Sequence, residues 1–419
     1  MLKAVICGPI ATQSGYGHHA REIVTNFLKL NESEWDTKLL SMPWGGTPFT
    51  YPIPDEWKLK IIPLPLQFQP DVWVQITVPN EFQAVGKMNI GVTAGTEGDV
   101  CPVEWIEKIN AMQLVIVPST FTRDVFVNTA KQNNLEIKCE FKVIPEYFDN
   151  TIYSNELPIL KLDDIDAIPE SFAFLTVGHW LQGALGEDRK NITGVIHTFF
   201  NTFKNKKDKP ALILKTSGAT YSLIDRMNIE KQILSIAEMF PKEKLPNIYL
   251  VHGDLTDAEM NSLYNHPKVK AMYSLTKAEG FGRPLLEFAT TGKPILAPHY
   301  SGQADFLNKD FIVTIPGALT PIHPSAQNPF LIEGAKWFTP DYNQACNLLE
   351  TVYTKYKNYL ENAKRQRYHV NTKFNQQAIE TIYEDVNKTI KFYTDQIPKQ
   401  VELKLPKLNK IELPTLQKV

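Results

Sequence analysis

Short apolar runs recur along the chain, each bounded by polar or glycine-containing stretches. In the first half they fall at residues 2–7, 72–77, 88–93, 114–118 and 142–145, rich in Val, Ile and Leu, which predicts buried strands. A segment from about residue 18 to 30 carries its apolar positions at helical spacing instead. Strands alternating with helices predict a parallel sheet wrapped by helices. The pattern then restarts, with strands at 172–177, 211–215, 248–252, 271–274, 294–297 and 312–315 and helices near 191–204, 224–239, 257–264 and 284–291. No short repeat relates the two halves, so they read as two similar α/β units in series rather than a solenoid.

Between the halves, residues 158–171 (PILKLDDIDAIPES) are acidic, proline-bounded and without an apolar period. They predict a solvated linker. The run Asp163-Asp164-Ile165-Asp166 is read as part of that linker rather than as a metal-binding DxD. A long, interrupted helical stretch covers about 342–393, and 398–419, with spaced prolines and several lysines, predicts an extended tail. The expected divisions are 1–160, 161–375, a helix over 376–397 that returns to the first domain, and the tail.

A length of 419 residues agrees with two domains. Lys and Arg number 44 against 46 Asp and Glu, a net charge of -2, so no global attraction to nucleic acid or membrane follows and any anionic ligand must be held by local groups. Cys7, Cys101, Cys139 and Cys346 are scattered without zinc-ligand spacing, which predicts a reduced, cytoplasmic chain. The first apolar run is too short for a signal-peptide core, and no run approaches the roughly 18 residues of a membrane span.

The stretch Lys277-Ala-Glu-Gly-Phe-Gly-Arg-Pro-Leu-Leu-Glu287 carries the most chemistry. Two carboxylates, Glu279 and Glu287, bracket a turn in which Gly280 and Gly282 permit close backbone approach, and the helix that follows offers free N–H groups to an anion. Pro284 suits the first helical turn. By composition alone an ordinary capped turn is the rival reading. Two further segments have the same double character. Glu187-Asp-Arg189-Lys190-Asn191 is either a solvated loop or an anion clamp, and Ser14-Gly-Tyr16-Gly17-His18-His19 is either a structural turn or a ligand loop.

Read together with Ala289-Thr-Thr-Gly292-Lys-Pro-Ile-Leu-Ala297 and Ser301-Gly302, the glutamate segment resembles the donor signature of the retaining glycosyltransferases of family 4, which have the two-Rossmann GT-B architecture. Phe174-Leu-Thr-Val-Gly178, the 187–191 segment, Val117-Pro-Ser119-Thr-Phe121 and Val143-Ile-Pro145 are similar to further family segments in the expected order. The resemblance covers roughly residues 1–307. It implies that Glu279 meets the transferred sugar, that the backbone of Gly280, Phe281 and Gly282 meets the phosphates, and that Glu287 holds the ribose. It further implies that Arg189 and Lys190 hold the diphosphate, that Glu97 faces the sugar, and that Gly17 lies near the donor with Tyr16 and His18 toward the acceptor. Glu279, Glu97 and Lys190 are the expected catalytic residues. His179 stands where many relatives carry Arg.

The implied reaction uses a nucleoside-diphosphate sugar as co-substrate, with no cofactor and no metal, because cationic side chains offset the diphosphate. An epimerase of the same fold and a noncatalytic nucleotide-sugar or glycan-binding protein are the rival readings. Acceptors stay open among glycans, lipid-linked sugars, proteins and a hydroxylated base in viral DNA.

Overall fold

The structure, a computed structural model, describes residues 1–181, 186–218 and 220–397. The tail expected over 398–419 lies outside the described residues. The first unit runs β1 (Leu2–Gly8), α1 (Gly15–Asn31), β2 (Trp35–Ser41), the single turn α2 (Asp55–Lys58), β3 (Val72–Ile76), β4 (Met88–Val92), α3 (Glu104–Asn110), β5 (Leu114–Val117), α4 (Thr120–Gln132) and β6 (Glu140–Val143). The second runs α5 (Asp163–Asp166), β7 (Ala173–Val177), α6 (Ile192–Phe203), β8 (Ala211–Lys215), α7 (Leu223–Ala237), β9 (Ile248–Val251), α8 (Asp257–Asn265), β10 (Val269–Tyr273), α9 (Arg283–Ala289), β11 (Ile295–Ala297) and β12 (Val313–Thr314). A hairpin, β13 (Gly317–Pro321) and β14 (Lys336–Pro340), follows, then α10 (Tyr342–Thr354), α11 (Leu360–Lys373) and α12 (Gln376–Thr394).

Each unit holds a parallel six-stranded sheet, in the orders β2-β1-β3-β4-β5-β6 and β12-β11-β10-β7-β8-β9. The order reverses between β1 and β3 and again between β7 and β10, and in such sheets the crevice outside the carboxyl ends of the strands at that reversal is where a ligand fits. Residues 9–14 and the start of α1 follow β1, residues 93–99 follow β4, residues 178–181 and 186–191 lie between β7 and α6, and residues 274–282 follow β10; they include the glycine and charged segments singled out above.

Continuous apolar strands are buried on both faces because helices cover both. Ala4, Ile6, Val74 and Ile90 are fully covered. Helix α12 belongs to this first core: Ile379, Tyr383, Val386 and Ile390 face it at helical spacing, and the Tyr383 ring meets Phe27 edge-on at 5.9 Å. The chain therefore crosses back from the second unit to the first.

The linker departs from expectation. Residues 163–166 form the helix α5, whose Ile165, with Ile168 beyond it, is buried in the second core. Asp166 faces His266 at 3.0 Å, and Leu160 N–H donates to Ser262 Oγ at 2.9 Å. Acidic composition suggested solvation, but two isoleucines at i and i+3 are enough to dock one turn. Strand β2 and the β13–β14 hairpin had no prediction. The hairpin leans on the first unit, where Lys336 N–H donates to Asp99 Oδ1 at 2.6 Å and Thr96 Oγ1 donates to the Phe330 carbonyl at 2.8 Å. Among the described residues no helix is long and apolar enough to cross a membrane.

Candidate active site

The carboxyl ends of the two sheets face each other across a cleft of about 400 Å³ lined from both units. From the first unit come Gly15, Tyr16, His18 and Glu97; from the second come Arg189, Lys190 and the 279–284 turn with Glu287. Of the glycine loop, Gly15 lines the cleft and Gly17 does not: Gly17 is buried in the first turn of α1, its N–H donated to the capping Ser14 Oγ at 3.0 Å. The Tyr16 ring stacks on Trp44 with centroids 4.0 Å apart. Its hydroxyl lies 3.1 Å from Thr93 Oγ1 and accepts the Ala94 N–H at 3.0 Å, tying α1 to the loop after β4. His18 is held well below its usual range by burial and by Arg283 and Arg21, so its imidazole is neutral.

The centre of the cleft is a charge cluster. Lys190 Nζ donates to both oxygens of Glu279, at 2.6 and 2.8 Å, and Arg189 donates to Glu279 Oε2 at 3.2 Å and to the Ala278 carbonyl at 2.9 Å. Thr276 Oγ1 adds a bond to Glu279 Oε1 at 2.7 Å. Burial opposes the charge on Glu279, but Lys190 and Arg189 outweigh it and hold the carboxyl at about 2. Arg189 also spans the cleft to Glu97, 3.3 Å away on the other unit. Two cations and two carboxylates thus converge at a partly buried point in the cleft, an arrangement of fixed charges able to stabilise charge that develops in a reaction. His179 stands at the cleft wall with Nδ1 3.2 Å from Ser217 Oγ, its basicity lowered by burial and by Lys190.

The turn behind this cluster is fixed from several sides. Gly282 takes a φ of +103°, a left-handed conformation that favours glycine. Ser301 Oγ accepts the Glu279 N–H at 2.8 Å, and Gly302 N–H donates to the Glu279 carbonyl at 2.9 Å. Ser119, the N-cap of α4 on the opposite unit, donates to the Gly280 carbonyl at 2.6 Å. The Phe281 side chain is buried against Phe306, leaving the turn its backbone to present. Glu287 is buried one helical turn on; it accepts from Tyr264 Oη at 3.1 Å and from Arg283 Nε at 2.8 Å, and burial pushes its carboxyl up to about 7.

Residues not anticipated as site members include Arg283, Glu22 and Glu146. The signal for Glu22 was present: it stands on α1 between buried Ala20 and buried Ile23, a charge on an apolar face. Lys215, Tyr221 and Asp254 line the far end of the cleft and were likewise not foreseen.

No protein-family model and no curated protein matches the sequence. Solved structures do match in fold. HepE of Anabaena, solved in complex with UDP and glucose, is similar over 94% of this chain and 100% of that one, with a TM-score of 0.60 and 13% identity. The sucrose-phosphate synthase of Thermosynechococcus elongatus matches over 94% and 100% with a TM-score of 0.60 and 12% identity, and a glycosyltransferase of Rickettsia africae over 94% and 97% with a TM-score of 0.62 and 10% identity. The architecture is GT-B, two Rossmann-like units facing across a cleft.

Proposed function

We propose that the protein is a retaining glycosyltransferase of the family 4 type that moves a sugar from a nucleoside-diphosphate sugar to an acceptor hydroxyl. The observation that carries this reading is the Lys190 and Arg189 pair locked on Glu279 at the glycine turn. A diphosphate entering here exchanges places with Glu279 as the partner of both cations, which frees the carboxylate to accept hydrogen bonds from sugar hydroxyls. Glu287 receives the ribose hydroxyls. The bond from the anomeric carbon to the phosphate oxygen breaks on the same face on which the acceptor oxygen bonds, and the acceptor's proton passes to the leaving phosphate. Lys190 and Arg189 stabilise the charge on the departing diphosphate without reorganising, and closure of the two units excludes water.

UDP-glucose is the first donor to test, because HepE is also solved in complex with it. In a thermal-shift panel of UDP-, GDP-, ADP- and TDP-sugars, one donor is expected to stabilise the wild type and to fail with Lys190→Ala and with Glu287→Ala. A folded wild type stabilised by none of them refutes the reading, and binding without transfer or hydrolysis replaces it with a noncatalytic one. The anomeric configuration of the product, read by proton NMR coupling, is expected to match the donor; inversion excludes the mechanism. Since the two cations supply the charge stabilisation, EDTA is expected to leave the transfer rate within about twofold, and loss of activity restored by a divalent ion contradicts that assignment.

A further inference from the structure

At the boundary between the two units one guanidinium meets three carboxylates. Arg283, the first residue of α9, donates through Nε to Glu287 of the same helix, and its Nη1 lies 2.5 Å from Glu22 of α1 and 3.5 Å from Glu146, in the loop after β6. Glu22 and Glu146 belong to the first unit, and Arg283 and Glu287 to the second. The three carboxylates are buried, with 10% or less of each side chain exposed, and Arg283 is partly buried at 16%. His19 completes the pocket, its Nδ1 3.6 Å from Glu146 and neither ring nitrogen hydrogen-bonded. His19, Glu22 and Glu146 bring their polar atoms within 4.8 Å of one another, and Arg283 pairs with the two carboxylates of that group.

Drawing the units apart takes the cation from Glu22 and Glu146 and two of three partners from Arg283, whereas removing Arg283 from the closed units leaves buried carboxylates unpaired, which is costly. Within the second unit, Glu287 sets the aim of the guanidinium, being the carboxylate bound through Nε and one helical turn away. Hydrogen bonds donated to Glu287 by a ligand's hydroxyls favour its charged form over the neutral one that burial promotes. That anchors Arg283 toward the first unit.

We infer that Arg283 is a positioning residue that couples occupancy of Glu287 to closure of the two units, with Glu22 and Glu146 as the catch on the other side. The role of Glu287 toward the donor ribose rests on the function proposed above; the catch itself does not.

Small-angle scattering on the full chain with and without UDP-glucose, together with steady-state kinetics, tests this. Without nucleotide, Arg283→Met is expected to have a larger radius of gyration than the wild type. With donor, it is expected to bind with KM changed by no more than about threefold but to contract less, while kcat falls about 100-fold. Arg283→Lys, which keeps the charge, recovers part of kcat. A merely structural role would lower stability without splitting kcat from KM. If Arg283→Met does not fold, Glu22→Gln, near in shape but uncharged, takes its place with the same expectation in a milder form. Scattering and kcat equal to the wild type in the folded variant overturn the inference. A wild type that neither binds nor turns over the donor, beside a variant that opens without nucleotide, leaves the catch standing and rejects the donor reading alone.

Discussion

Glu279→Gln is expected to lower kcat/KM by about 10²–10³-fold and, in the same protein, to remove an acid-sensitive share of stability. The kinetic loss has two sources. The amide is a weaker acceptor for sugar hydroxyls, and it no longer balances Lys190 and Arg189, which it meets within 3.2 Å in the wild type. The stability effect follows from linkage. Glu279 titrates at about 2 in the folded chain against an ordinary value of 4.5, a difference of roughly 3 kcal/mol. Because its folded value is depressed, this contribution is fully present above pH 4.5 and is lost as pH falls toward 2. Glu287 acts with the opposite sign: burial raises it to about 7, so the folded state holds its proton more tightly and stability declines as pH rises from 4.5 to 7. Urea midpoints of wild type and Glu279→Gln measured from pH 3 to 8 separate the two. The gap between the curves is expected to shrink below pH 4.5 while the decline toward pH 7 persists in both. Parallel curves down to pH 3 would mean that Glu279 is not paired as described.

The strands and the charge clusters differ in how far the sequence reveals them. The parallel strands were legible because burial on both faces makes them continuous apolar runs, as in β5 and β8, where every residue but Lys215 is buried. Strand β2 was not, since its burial alternates at an outer edge of the sheet and Asp36 and Lys38 break the run. The approach of Arg189 and Lys190 to Glu279 was anticipated only through resemblance to a family signature: pairs separated by 90 and 89 positions leave no trace in local periodicity. The Arg283 cluster shows the limit most plainly. Arg283 lies inside the motif that drew attention, yet its partners Glu22 and Glu146 stand 261 and 137 residues away on another unit. A cation at a helix start runs against the helix dipole, yet only folding reveals that three carboxylates surround this one.

Packing behind the donor turn predicts the second large effect, Gly302→Ala. A methyl group at this position would lie 2.1 Å from the Gly280 carbonyl oxygen, 2.5 Å from its carbon and 2.7 Å from the Phe281 Cα. These are backbone atoms, so no side-chain rotation relieves the overlap, and the glycine turn must move toward the cleft. Ser301 and Gly302 both bond the backbone of Glu279, hence the displacement carries Glu279 away from Lys190. The expected cost is about 3 kcal/mol of stability, with loss of the donor-induced thermal shift at temperatures where the variant is folded. Gly15→Ala provides the contrast: its methyl group meets nothing within 4 Å, and at the first position of α1 alanine lowers the entropy of the unfolded chain, a gain of roughly 0.5 kcal/mol. Chemical denaturation of both variants therefore gives shifts of opposite sign. If Gly302→Ala keeps wild-type stability and donor binding, the turn is free to yield, and the position of Glu279 must be set by Lys190, Arg189 and Thr276 rather than by the backbone packed behind it.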